Sequence, residues 1–195
     1  GVVGENAAII ATGMQAAVTI IDKSPERLRE LHTKFGDAII PLQSDEINLQ
    51  KHIQHCDLLI GGVLVPGANA PKLVSKEMIS SMKRGSVIVD VAIDQGGCVE
   101  TSKPTTHANP TYVVGEVVHY CVTNMPGGVP MTSTLALNAV TLPFVLKLAQ
   151  EGYKNALASD ANFLAGLNIC QGNVTYKAVA DELNYEYITA SLAIN

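Results

Sequence analysis

Along the first hundred residues the apolar positions fall into two alternating patterns. Short β-branched runs of strand length are separated by longer stretches with apolar residues three and four apart. The stretch "ENAAIIATGM" (5–14) reads as a short apolar helix and "AVTIID" (17–22) as a strand. "SPERLRELHTKF" (24–35) has a serine cap, a proline in its first turn and apolar spacing at Leu28, Leu31 and Phe35, which predicts a helix. "AIIPLQ" predicts an edge strand, because Pro41 cannot donate to a central ladder. "SDEINLQKHIQHC" predicts a helix with favourably placed early acids. "DLLIGGV" and "SVIVDVA" predict buried strands, with "SKEMISSMKRG" between them a helix capped by a left-handed Gly85.

Strand, helix, strand at this rhythm predicts an α/β fold, a Rossmann-like doubly wound parallel sheet with right-handed crossovers. Beyond residue 110 the pattern changes. "TYVVGEVVHYCV" predicts a hairpin-like segment or a strand turning at Gly115. From Thr132 the spacing is mainly helical, through "STLALNAVTLPFVLKLAQEG", "KNALASD" and "TYKAVADEL". The Gly- and Pro-rich "NMPGGVPMT" marks the boundary, giving a nucleotide-binding domain over 1–131 and a helical segment over 132–195.

Composition narrows the function classes. The net charge is −5, with no basic stripe to neutralise phosphates, which argues against nucleic acid. Charged residues make up only 16% of the chain, a lean surface that fits apolar area covered by a partner. No apolar run is expected to approach the roughly 20 residues of a membrane span, and no signal peptide is expected at the opening. Four scattered cysteines without a CxxC pair read as reduced thiols, so the expected location is cytoplasmic.

Three segments could carry chemistry. Gly1-x-x-Gly4 before a helix resembles part of a phosphate loop, where the helix N-terminus offers unpaired N–H groups. Asp22, ending a strand about 20 residues on, stands where an acid accepts from a ribose and disfavours the extra phosphate of NADP. Two glycines and a strand-end acid are also common in any α/β sheet. Ser24 can be a plain helix cap, and Arg27 a plain solvated charge.

"DVAIDQGG" (90–97) leaves the carboxyl end of a strand, where ligands of open α/β sheets collect, and puts Asp94 at the mouth. The alternative is an aspartate closing a turn. "VTNMPGGVP" (122–130) can line a crevice, serve as a linker, or both. His32, His52 and His55 read as surface residues. His107 and His119 have no nucleophile to pair with, and Cys98 reads as a strand-end core thiol.

Taken together, "GVVGENAA", "TIIDKSPERLREL", "VLVPGANAPKLVSKEM", "MKRGSVIVDVAIDQGGCVETSKPTTHANPTY" and "NMPGGVPMTSTLALNAVTLP" resemble alanine dehydrogenases over nearly the whole chain. The alpha subunit of proton-translocating transhydrogenase shares the glycine loop and "VIVD" but less of the "PTTH" block. The resemblance implies an NAD-dependent, reversible oxidative deamination of L-alanine to pyruvate and ammonium, with hydride leaving the substrate carbon and the imine then hydrolysed.

By that resemblance Gly1, Val2, Val3 and Gly4 would belong to the phosphate loop, Asp22 would bind the adenosine ribose with Arg27 near it, and Ser44 would border the adenine. Val63 and Leu64, with Val91, Ala92, Ile93 and Asp94, would line the nicotinamide end. Lys103, Val122, Thr123, Asn124 and Met125 fall on further cofactor contacts, and Asp94 falls on the acid with a catalytic role. A homohexamer is the implied assembly, without nucleic acid or membrane as partner.

The departures from the family are specific. Its substrate-binding lysine, arginine and catalytic histidine lie in an N-terminal domain that nothing here matches, and the first strand and first glycine of the nucleotide fold are missing. The opening therefore reads as the cut edge of a longer enzyme, inactive by itself, whose C-terminal helices would pack on the absent domain. Lys103 replaces an arginine, keeping charge but losing the planar fork. Lys147 and Glu151 form no recognisable metal site. Outside the dehydrogenase reading, the same residues fit a non-catalytic NAD-binding module or a transhydrogenase-like domain.

Overall fold

Val87–Asp90 (β4) is the centre of a four-stranded sheet, and its position follows from its composition. A run of Val, Ile and Val can be covered on both faces, and Ile88 is fully buried. In the computed structural model, which describes residues 1–194, β4 pairs in parallel with Leu58–Gly61 (β3) on one side and Val117–Tyr120 (β6) on the other. Thr111–Val114 (β5) closes the far edge antiparallel to β6, and Gly115 turns between them at φ +61°. That is the hairpin the sequence suggested.

A second sheet is the parallel pair of Val18–Asp22 (β1) and Ile39–Gln43 (β2), in which Pro41 lies opposite Ile20 on an edge strand. Among the described residues no strand pairs with both β1 and β3. The helix Val2–Gly13 (α1) touches both. Pro25–Phe35 (α2) begins as expected, with Ser24 accepting from the Arg27 amide at 3.2 Å, and packs on β1 and β2. Glu46–Ile53 (α3) is capped by Asp45, which accepts from the Asn48 amide at 2.7 Å.

Three expectations are corrected. First, β3 is not buried: Leu58 is 51% and Ile60 37% exposed, because β3 forms a sheet edge and one face has no cover. Second, the helix after Ser75 spans only Lys76–Ser80 (α4). Hydroxyl bonds from Ser80 to the Lys76 carbonyl and from Ser81 to the Met78 carbonyl occupy acceptors at its end. Gly85 is left-handed, but it turns the chain into β4 and donates to the Glu116 carbonyl at 2.8 Å.

Third, Pro130–Ala158 (α5) is long and apolar enough to cross a bilayer by length and composition. Scattered Ser, Thr and Asn residues break its apolar runs without making the segment polar, which hid this in the sequence. The helix contains Pro143 and breaks at Gly152, where φ is +74°.

The chain divides into two compact units, one of Gly1–Leu64 with Asn69–Met125, the other of Val65–Ala68 with the residues from Pro126 on. The first has its core around Ile53, Val74, Ile79, Ile88, Val99 and Val117. The second has a small cluster of Leu157, Cys170 and Ile194, with Phe163 packed against it. Besides α5 it contains Ala161–Ala165 (α6), the short pair Ile169–Cys170 (β7) and Asn173–Val174 (β8), Lys177–Leu183 (α7) and Ala190–Ala193 (α8). All four cysteines are free thiols.

Candidate functional site

The carboxyl ends of β1, β3 and β4 carry most of the residues the sequence singled out. At β1, Asp22 ends the strand. Its Oδ1 accepts from the Ser24 amide at 2.9 Å, and Oδ2 lies 3.8 Å from the Gly1 nitrogen. The Ser44 amide donates to the Asp22 carbonyl at 2.9 Å, which sets Ser44 beside it at the end of β2. Gly1 caps α1, and the first bond of that helix runs from the Glu5 amide to the Gly1 carbonyl at 3.1 Å. The amides of Val2, Val3 and Gly4 precede it, in the turn where helix donors lack intrahelical acceptors. A side chain added at Gly1 or Gly4 would meet nothing within 4 Å, so the backbone is open to approach.

Gly62 joins this corner to the sheet. A Cβ there would lie 3.1 Å from Val3 Cγ1, so the end of β3 closely approaches the first turn of α1. Arg27 sits at the same corner, but its guanidinium is engaged: Nη2 pairs with Glu5, and Nη1 donates to Glu30 at 2.7 Å. These carboxylates, Glu30 first, hold the guanidinium above its ordinary pKa.

At β4 the chain turns through a 3-10 segment, Val91–Gln95. Ala92 and Ile93 are buried and Asp94 is exposed. Asp94 Oδ1 accepts from the Asn124 amide at 3.1 Å, and His107 Nε2 lies 3.1 Å from the Asn124 carbonyl. Asn124 is left-handed at φ 53°, a conformation its short amide side chain tolerates. Two segments thirty residues apart, "VAID" and "VTNM", thus meet at one point. The side chains of Ala92, Ile93 and Val122 face the interior, so any ligand contact from them is through backbone atoms. Thr123 is exposed and Met125 half-buried, while Val63 packs on the core and Leu64 is exposed.

Lys103 goes elsewhere. Its amide donates to the Tyr112 hydroxyl at 2.7 Å, and its ammonium lies 5.3 Å from the centre of the Tyr112 ring. No hydrogen bond or ion pair joins it to Asp94 or Asn124.

Beneath this mouth is a buried polar network that the sequence reading did not assign. Asp90 is fully buried at the end of β4, where its Oδ2 accepts from the Ser102 hydroxyl at 2.6 Å and the Val99 amide at 3.1 Å. The Cys98 thiol donates to Oδ1 at 3.5 Å, and burial beside this carboxylate pushes that thiol up to about 12. The Cys121 thiol lies 3.6 Å from the Ser102 hydroxyl and 3.7 Å from the Tyr112 hydroxyl, which donates to the Thr101 carbonyl at 2.9 Å.

His119, also fully buried, has Nδ1 3.1 Å from the Val117 carbonyl and Nε2 2.7 Å from the Thr101 hydroxyl, and it stacks on Tyr112 with ring centres 5.0 Å apart. Burial lowers its pKa. Lys72 clasps the same loop from outside, donating to the carbonyls of Gly96 at 2.6 Å and Gly97 at 2.8 Å. The signal for this network was an acid inside an apolar strand: a buried carboxylate needs donors, and "GGCVETS" follows at once.

The chain matches the family described as alanine dehydrogenase/PNT, C-terminal domain, over residues 1–177. It is 56% identical over 194 residues to an alanine dehydrogenase of Halomonas elongata and 54% over 195 residues to one of Bacillus subtilis. Each match covers 100% of this chain and 52% of the relative, so the chain spans about half the length of the curated relatives it matches. A solved L-alanine dehydrogenase superposes on 94% of this chain and 51% of its own, at TM-score 0.84 and 50% identity. A transhydrogenase from Sinorhizobium meliloti superposes on 79% of this chain and 43% of its own, at TM-score 0.66 and 31% identity.

Proposed function

This chain belongs to the alanine dehydrogenase/PNT C-terminal-domain family, and from that premise we propose that it is the nucleotide-binding part of an NAD-dependent alanine dehydrogenase. The reaction is L-alanine, NAD⁺ and water going to pyruvate, ammonium, NADH and a proton. The observation that carries the reading is Asp94: an exposed carboxylate at the carboxyl end of β4, hydrogen-bonded to Asn124 of the second candidate segment. The corner of α1, β1 and β3 fits a dinucleotide, with an open glycine turn at the helix start, a close approach of Gly62 to Val3, and a strand-end acid.

When bound, the cofactor supplies the hydride acceptor. The residues of this chain bind and orient it. The Val2, Val3 and Gly4 amides face the phosphates, and Asp22 accepts from the adenosine ribose beside Ser44. Backbone atoms of Val63 and Leu64, of 91–93 and of 122–125 border the nicotinamide end. Asp94 holds a ribose hydroxyl or the hydrolytic water by accepting a hydrogen bond from it.

Residues 132–195 belong in this reading to the substrate domain, which supplies the groups that hold alanine, and the exposed apolar surface of α5 docks there rather than in lipid. The assembly is a homohexamer in the cytoplasm, consistent with four free thiols.

The test is L-alanine-dependent NADH formation by the full-length protein together with NADH titration. Asp94→Asn preserves an acceptor for the Asn124 amide but not the charge. It should lower turnover about 10²–10⁴-fold while NADH still binds. Wild-type turnover in that variant, or no oxidation of L-alanine by the parent protein, overturns the reading. The transhydrogenase likeness supports a second reading, a nucleotide-binding subunit without deaminase activity. NADH binding with no alanine turnover selects it.

A further inference from the structure

One exposed histidine is tied to the mouth of the site through a single backbone carbonyl. His107 lies in "PTTHANP" (104–110), a turn clipped along the segment that carries Asn124. The Thr105 amide donates to the Cys121 carbonyl at 2.9 Å, and the Thr123 amide donates to the Thr105 carbonyl at 3.1 Å. The turn is closed by the Asn109 amide on the Thr106 carbonyl at 3.1 Å and by the Thr105 hydroxyl on the Pro110 carbonyl at 2.9 Å. From this clip the His107 ring reaches the Asn124 carbonyl, with Nε2 3.1 Å away. A carbonyl only accepts, so the proton of that bond sits on Nε2.

Asn124 is thereby held on both sides. The peptide before it donates its N–H to Asp94 Oδ1 at 3.1 Å, and the peptide after it offers its carbonyl to His107. The torsions between those two peptides are φ and ψ of Asn124, and φ is 53°. A residue with a Cβ takes up that left-handed state at a cost, so anchors on both flanks are what keep it there. Releasing the later peptide lets Asn124 relax toward the commoner regions, which swings its N–H away from Asp94. Because Oδ1 is the anchored oxygen, the direction of that bond sets where the rest of the carboxylate points.

We propose that His107 is a positioning residue for Asp94. By fixing the Asn124 carbonyl it keeps the preceding amide on Asp94 Oδ1, and so aims the carboxylate at the nicotinamide end. The role rests on the reading of Asp94 given above. It places a second-segment histidine, with no ligand contact of its own, behind the acid that makes one.

The test is steady-state oxidation of L-alanine and NADH titration with the full-length protein. His107→Phe keeps a ring and removes the donor, whereas His107→Gln keeps an N–H donor near the place of Nε2. His107→Phe should lower kcat about tenfold. Its NADH Kd and urea midpoint should stay near the parental values, because the ring is exposed. His107→Gln should recover most of the lost turnover. Added to Asp94→Asn, His107→Phe should cause little further loss, because both act through one carboxylate.

A His107→Phe enzyme with parental kcat overturns the proposal. So does a loss that multiplies in full with that of Asp94→Asn, or one that His107→Gln does not restore, since either marks a contact that is only structural. An NADH affinity that falls as far as kcat overturns it too, because the defect then lies in binding. Parental turnover in Asp94→Asn alone refutes the reading of Asp94 itself, an outcome distinct from the other three.

Discussion

At the scale of single residues, His119 and Asp22 show opposite uses of a polar side chain. His119 is sealed inside the first unit, with its Nδ1 proton directed to the Val117 carbonyl and Nε2 accepting from the Thr101 hydroxyl. Burial depresses its pKa below the ordinary 6.5. The neutral ring is therefore favoured in the folded state, and the unfolded chain takes up a proton first as pH falls. The stability this residue contributes is intact above the unfolded pKa and lost as acidification carries the protein down through the folded one. Urea unfolding between pH 8 and 5 should show a decline below about 6.5. His119→Gln should be less stable at pH 8 but show a flatter decline; a parallel profile in the variant would remove His119 as its source. Asp22 instead keeps its carboxylate at the surface beside α1. Asp22→Ala should weaken NADH binding by roughly 1.5–3 kcal/mol, the usual loss for a charged hydrogen bond, and unchanged affinity refutes the ribose role. The sequence marked Asp22 because strand-end acids follow a spacing rule. It left His119 open, because its partners Thr101 and Val117 meet it only through the hairpin's pairing.

Among the elements, β4 and the loop after it set the site's shape. Asp90 draws Val99 and Ser102 back under the strand, and this return puts the Val91–Gln95 turn and Asp94 at the mouth. Gly97 is the tight point of the return. Its φ is +76°, and a Cβ there would stand 2.7 Å from Asp90 Oδ2 and 3.1 Å from Ser102 Cβ. Gly97→Ala meets both strain and clash, so it should cost about 2–4 kcal/mol in urea unfolding and weaken NADH binding through displacement of the turn. A variant of parental stability would show that the loop is loose. Local chemistry made many of these elements readable: the Ser24 cap, the Gly115 turn and the apolar run of β4 each act within a few residues. The burial of β3 was misjudged because it depends on which neighbours a strand finds in the sheet. Likewise α4 stops early through two serine back-bonds that its apolar spacing does not encode.

For the whole molecule, the informative feature is how α5 meets its surroundings. Met131, Leu135, Leu137, Val140 and Val145 are more than half exposed, and Leu142, Phe144 and Leu146 nearly so. Apolar groups thus appear on more than one side of a single helix. A helix apolar all round is stable in water only when something surrounds it. The relatives are about twice as long as this chain, and the reading above gives the covering surface to their other half. The sequence showed this as a lean surface charge, but the helix itself was obscured by the polar residues interrupting its runs. Produced alone, residues 1–195 should bind an apolar dye and self-associate in light scattering, and should form no NADH from L-alanine. Leu135→Gln with Val140→Gln should lower dye binding and association. NADH affinity should not change, because Asp22 and Asp94 lie in the other compact unit. A monodisperse, dye-free chain would mean that α5 needs no cover, and the docking role assigned to it would fall. Alanine turnover by the same chain would overturn the division of labour between the two halves.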